Sequence, residues 1–215
     1  MNERDSHSSS RRAFLGKSAL VGGGALALGA IVLPSLPARA TDFEYGDARL
    51  LEFLLKVQAL QSDYFATAAL TTSAQGLTSS EANILNTLAK QDEQQKRWCK
   101  GALRKFAMGQ GMPSTMSGGF HAKRYSFQIM KTRETLLRDA LRLKTASASA
   151  WTGAAGRADD GEIAAAFASL AGVQNRHRAL LAEMLGEPAI MAMAGAMSMR
   201  DATVELDKYG FSSAM

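Results

Sequence analysis

The chain has 215 residues, 47% of them hydrophobic, and a formal net charge of +5. Five cations and two acids lie in the first 40 residues, leaving +2 on the remainder, so charge gives no ground for inferring nucleic-acid binding. A single cysteine, Cys99, excludes an intramolecular disulfide; beside Trp98 in a helical pattern it reads as a packed core thiol, with a reactive thiol as the alternative.

At the amino terminus, Ser10-Arg11-Arg12-Ala13-Phe14-Leu15 with Lys17 matches the twin-arginine export pattern. An apolar Gly/Ala-rich run over residues 19–36 follows, broken by Pro34, and Ala38-Arg39-Ala40 supplies a small-x-small cleavage motif. Residues 1–40 therefore read as a signal cleaved after Ala40, not a permanent membrane anchor. The implied partner is the twin-arginine translocase and the implied destination the periplasm, by a route that carries folded cargo.

The mature chain, about 175 residues, is long enough for one domain with a single sizeable core. Four long segments show 3.6-residue periodicity and none shows strand alternation. The first covers residues 47–70, with Leu50, Phe53, Leu54, Val57, Leu60, Tyr64 and Phe65 on its apolar face. The second opens on Thr78-Ser79-Ser80-Glu81, a capping box, and runs to about residue 107. A third is expected over residues 124–155. The fourth follows Asp159-Asp160-Gly161-Glu162 and stops at Gly186, before Pro188.

Short links make the first and second segments, and the third and fourth, antiparallel hairpins. Between the hairpins lies a stretch rich in Gly, Ser and Met. About 16 residues at roughly 3.3 Å each reach about 50 Å, and a 25-residue helix is about 38 Å long. The linker can cross the whole bundle. The expected fold is all-α: a ferritin-like four-helix bundle over residues 41–190, built from two antiparallel hairpins and a long crossover, with a Met-rich segment over 191–215. An up-down-up-down bundle is the alternative.

Polar residues interrupt each apolar stripe near its midpoint. They are Gln58 and Gln61 on the first helix, Glu93 to Lys96 on the second, Lys144 on the third, and Gln174 with His177 on the fourth. Four at similar depth suggest a shared buried polar layer.

Here the chain resembles the bacterial ferritin-like proteins that carry twin-arginine signals, including the group called desiccation-related. The resemblance is carried by Arg176-His177, Leu185-Gly186-Glu187-Pro188 and Trp151-Thr152-Gly153-Ala154-Ala155. Members with an intact di-metal site place Glu, Glu-x-x-His, Glu and Glu-x-x-His on successive helices. The resemblance puts Gln58, Glu93 with Lys96, Lys144, and Gln174 with His177 at those positions, so two of six ligand types survive. Glu93, Lys96 and Lys144 sum to about +1 where an intact site presents about −4. The expectation is a degenerate site in which Lys144 pairs with Glu93 while Gln58, Gln174 and His177 complete a hydrogen-bond network.

Met191, Met193, Met197 and Met199 pack thioethers as M-x-M-x3-M-x-M, a spacing that suits Cu(I) but equally a flexible apolar strap. Met108, Met112 and Met116 bracket the crossover, and His121 within it has no partner in view. Lys96, Arg97, Lys100, Arg104 and Lys105 form a solvated basic face able to dock an acidic partner. The expectation is therefore a non-catalytic structural or interaction protein without cofactor, stress-associated by resemblance, a homodimer or exported with a partner. The alternative is a metalloprotein, with residual iron at Glu93 and His177 or copper on the Met segment.

Overall fold

Helix α1, Tyr45–Leu70, is buried on more than one side: Leu51, Leu54, Leu55, Leu60 and Phe65 are all closed to solvent. The computed structural model describes residues 45–70, 76–109, 125, 127, 132–188 and 194–211. The expected export signal, most of the crossover with Met112, Met116 and His121, the Met108 side chain, and Met191 and Met193 lie outside the described residues.

Local chemistry sets the helix starts. Helix α2, Ser79–Gly109, begins on the expected capping box: the Thr78 amide donates to Glu81 Oε2 at 2.9 Å, and the Glu81 amide donates to Thr78 Oγ1 at 3.3 Å. Helix α3, Arg133–Ala155, starts nine residues later than periodicity suggests, on a second box formed by Thr132 and Thr135. Upstream of it Tyr125 and Phe127 are not helical and pack on α1; Phe127 meets Tyr64 edge-on at 5.4 Å. Helix α4, Gly161–Met184, is capped by Asp160, whose carboxylate accepts from the Glu162 and Ile163 amides. The buried Asp47 of α1 adds a tertiary cap, accepting from the Asp159 and Asp160 amides at 2.9 and 3.0 Å. Gly186, at φ 72°, closes the helix in the left-handed conformation that glycine tolerates.

Side-chain contacts give the helix directions. Glu81 meets Arg133 and Asp92 meets Lys144, a constant offset of 52 residues, so α2 and α3 run parallel. Gln61 meets Ser147 while Lys144 lies over Phe65, so α1 and α3 are antiparallel. Trp151 with Phe167, and Lys144 with Gln174, make α3 and α4 antiparallel. The order is up, down, down, up. The parallel direction of α2 and α3 excludes the up-down-up-down alternative and leaves a ferritin-like all-helical bundle.

The carboxyl-terminal segment joins this core. The Met197 amide donates to the Ser149 carbonyl at 3.1 Å and the Ala194 amide to Asn175 Oδ1 at 2.9 Å. Helix α5, Met199–Leu206, and a 3-10 turn, Asp207–Tyr209, then bring Phe211 edge-on to Phe53 of α1 at 5.8 Å. Phe211, Leu206 and Tyr209 are buried. Among the described residues no helix is long and apolar enough to cross a membrane.

Gly153 makes this docking possible, because a Cβ there would lie 2.0 Å from the Met197 carbonyl oxygen. Gly153→Ala is expected to destabilise the protein by about 1–3 kcal/mol in urea titration and to speed amide exchange in residues 194–211. Equal protection in both proteins would show that the close approach does not hold the segment.

Candidate functional site

The inward stripe of α2 reads Leu85, Leu88, Asp92, Gln95, Cys99, Ala102, Phe106, at alternating spacings of three and four, and all seven residues are buried. That spacing turns Asp92 and Gln95 toward the other helices and turns Glu93 roughly 100° away. On α4 Phe167, Leu170, Gln174, His177 and Leu181 share a buried face, and Met184 on the same line is partly buried. The buried layer between the helices is therefore Gln58, Gln61, Asp92, Gln95, Lys144, Ser147, Gln174 and His177.

At its centre Lys144 Nζ donates to Asp92 Oδ1 at 2.5 Å and Oδ2 at 2.7 Å, and to Gln174 Oε1 at 3.1 Å. These bonds use all three ammonium hydrogens. The Phe65 ring lies under the same ammonium, 4.9 Å away. Gln174 Nε2 donates to Gln95 Oε1 at 2.7 Å and more weakly to Asp92 Oδ1 at 3.4 Å. Gln61 Nε2 donates to Ser147 Oγ at 2.5 Å, and His177 Nε2 shares a 2.5 Å bond with Gln91 Oε1. Both amide atoms of Gln58 are buried without a partner among the described residues.

Three expectations need correction. Lys144 pairs with Asp92, not Glu93. Glu93 sits part-exposed at the rim, where it binds Lys96 and Arg97 and accepts from Ser62 Oγ at 3.0 Å. Burial pushes the Glu93 carboxyl up, but these partners outweigh it and leave it below the usual carboxylate range. The expected surplus of about +1 at the centre does not arise, because Lys96 leaves with Glu93 and the inner pair is neutral. Gln58 also stands apart from the hydrogen-bond network that Gln174 does join. Gln95 falls within the expected Glu93 to Lys96 stretch; Gln91, Asp92 and Ser147 are the residues that reasoning from the sequence missed, and the three-four spacing on α2 was the signal that marks Asp92.

Burial pushes the Asp92 carboxyl up and the Lys144 ammonium down, each toward its neutral form, while their mutual attraction opposes both shifts. Burial, then Lys144 and Arg176, hold the His177 imidazole well below its usual value. Cys99 is closed to solvent and its thiol is pushed far up by burial, so it lacks the thiolate character of a nucleophile.

A di-metal centre does not fit these side chains. Its ligands would be carboxylates and imidazoles converging on cations, whereas here an ammonium fills the centre and consumes the one inward carboxylate. Among the described residues no three His, Cys, Asp or Glu side chains stand together as a metal-binding group. Of the Met segment, Met197 packs against the core and Met199 is 37% exposed.

Lys144→Met strands a buried carboxylate, and a loss of about 3–5 kcal/mol is expected in urea titration. The double variant Lys144→Met/Asp92→Leu should regain most of that loss, and additive losses would show that the two groups are not coupled. The unfolded His177 takes up its proton near pH 6.5, while the folded one stays neutral to much lower pH. The unfolded state therefore binds more protons below that value. Stability is full above pH 6.5 and falls with decreasing pH, by at most about 1.4 kcal/mol per unit from this group. The difference in stability between wild type and His177→Gln, measured from pH 7 to pH 5, should shift in favour of the variant; a difference that stays flat would show that His177 is protonated in the fold.

The ferritin-like domain model matches residues 46–187, which run from the first turn of α1 to just past the end of α4. No curated protein matches the chain. Two hairpins, a crossover that makes α2 and α3 parallel, and this match lead to one conclusion: the chain belongs to the ferritin-like domain family.

Proposed function

We propose that this is an exported ferritin-like protein with no catalytic role of its own, a structural or interaction module of the periplasm. The observation that carries the reading is Lys144: fully buried, bonded to both oxygens of Asp92 and to Gln174, and set among the residues that face one another across the four long helices. An internal ammonium supplies the positive charge that a metal cluster would bring to this place, and supplies it as part of the chain. Such a bundle folds without loading and has no open coordination position for chemistry.

Export rests on Ser10-Arg11-Arg12-Ala13-Phe14-Leu15 and the Ala38-Arg39-Ala40 motif. A folded, metal-free cargo of the twin-arginine route is accounted for by co-export with a partner, or by a signal inherited from metal-bearing relatives. A stress-associated role follows from the resemblance to desiccation-related proteins alone.

The protein recovered from the periplasm should begin at Thr41. Refolded with Fe(II), Mn(II) or Zn(II), it should retain none of them after gel filtration, and its melting temperature should ignore EDTA. Stoichiometric metal that disappears in His177→Ala would overturn the metal-free reading, and an unprocessed protein confined to the cytoplasm would overturn export.

A further inference from the structure

Helix α2 carries six cations and three acids, while the rest of the chain from residue 41 onward sums to −1. The positive charge of the mature protein therefore resides on this one helix. Its acids are occupied: Glu81 binds Arg133, Asp92 is buried against Lys144, and Glu93 serves Lys96 and Arg97. From Gln94 to the end of the helix there is no further acid.

Lys90, Arg97 and Arg104 recur every seven residues and lie within about 40° of one another around the helix, over a length of about 21 Å. Lys100 and Lys105 flank that line. Lys90, Arg97, Lys100 and Arg104 are exposed, and Lys90, Lys100, Arg104 and Lys105 have no acidic partner among the described residues. No cation lies in the last turn of the helix, so the helix dipole does not account for this stripe.

The face carries charge and little else. The exposed large apolar residues among those described are Leu70, Met199 and Val204, none of them on α2. A protein partner is held chiefly by buried aromatic and aliphatic anchors at the centre of an interface, and this stripe has none. An anionic bilayer needs no such anchor, because a straight row of cations binds headgroups by charge alone.

We propose that the Lys90–Arg97–Lys100–Arg104 face of α2 is a peripheral docking surface for anionic phospholipid, holding the bundle flat and reversibly on a membrane. Binding needs no insertion and is lost as salt rises.

The test is sedimentation of the protein, purified as the producing cell accumulates it, with vesicles of phosphatidylglycerol and phosphatidylcholine or of phosphatidylcholine alone. Binding is expected only to the anionic vesicles at low salt, and not at high salt. The Arg97→Gln/Lys100→Gln/Arg104→Gln variant should melt like wild type and bind about a hundredfold more weakly, at about fivefold per charge. A control, Arg142→Gln/Arg157→Gln/Arg176→Gln, removes the same charge from exposed sites off the stripe and should bind as wild type. Unchanged binding by the stripe variant, or equal loss in the control, overturns the proposal. So does tighter binding to polyglutamate or duplex DNA than to anionic vesicles at the same salt, which would assign the face to an acidic protein or a nucleic acid.

Discussion

A charge inside a protein must find its counter-charge there, and in this bundle that requirement falls on Lys144. Its partners come from three other helices: both oxygens of Asp92 on α2, the amide oxygen of Gln174 on α4, and the ring of Phe65 on α1. Sliding α2 past α3 by one turn would strand an ammonium and a carboxylate in apolar surroundings, at a cost of several kcal/mol. An apolar core of similar volume could be as stable, but it would tolerate neighbouring registers more readily. The parallel alignment of α2 and α3 is held at two levels, by Asp92 with Lys144 at the centre and by Glu81 with Arg133 near the end.

The polar layer joins amides from facing helices around one buried ion pair. Asp92 with Gln95, and Gln174 with His177, occupy i and i+3 positions on facing helices, and Gln174 bonds to both members of the α2 pair. A glutamine has nearly the shape of a glutamate, so it fills the same space and still accepts through one oxygen. It is neutral, however, and its amide nitrogen donates. Amides thus bond to each other and to Asp92, whereas carboxylates in those positions would repel one another unless a cation lay between them.

Helix α1 shows what the remaining chain contributes. A helix in a four-membered bundle normally keeps one face in water, yet Leu50, Leu51, Phe53, Leu54 and Leu55 are all buried. Tyr125 and Phe127 from the crossover and Tyr209 and Phe211 from the tail supply the extra cover, joined in a network of edge-on and tilted ring contacts. The tail reaches this position because Gly153 lets its backbone lie directly on α3.

Local sequence pattern was enough to place four long helices, the Thr78–Glu81 box, an acidic start to the fourth helix and a buried polar layer containing Gln174, His177 and Lys144, because each depends on residues within a few positions of one another; the third helix was started nine residues early. It also marked the inward face of α2: a three-four spacing from Leu85 to Phe106 passes through Asp92, and Glu93 lies one residue, about 100°, off that line. Which carboxylate meets Lys144 is nonetheless a matter of how α2 is rotated against α3, and contacts 52 residues apart set that rotation. The same holds for helix direction. A long linker permits both parallel and antiparallel α3, and only packing across the bundle selects one. The tail was the least legible part, since an eight-residue helix after a Met/Ala run has too short a period to announce itself, and Gly153, Asn175 and Phe53 become its partners only once the chain has folded.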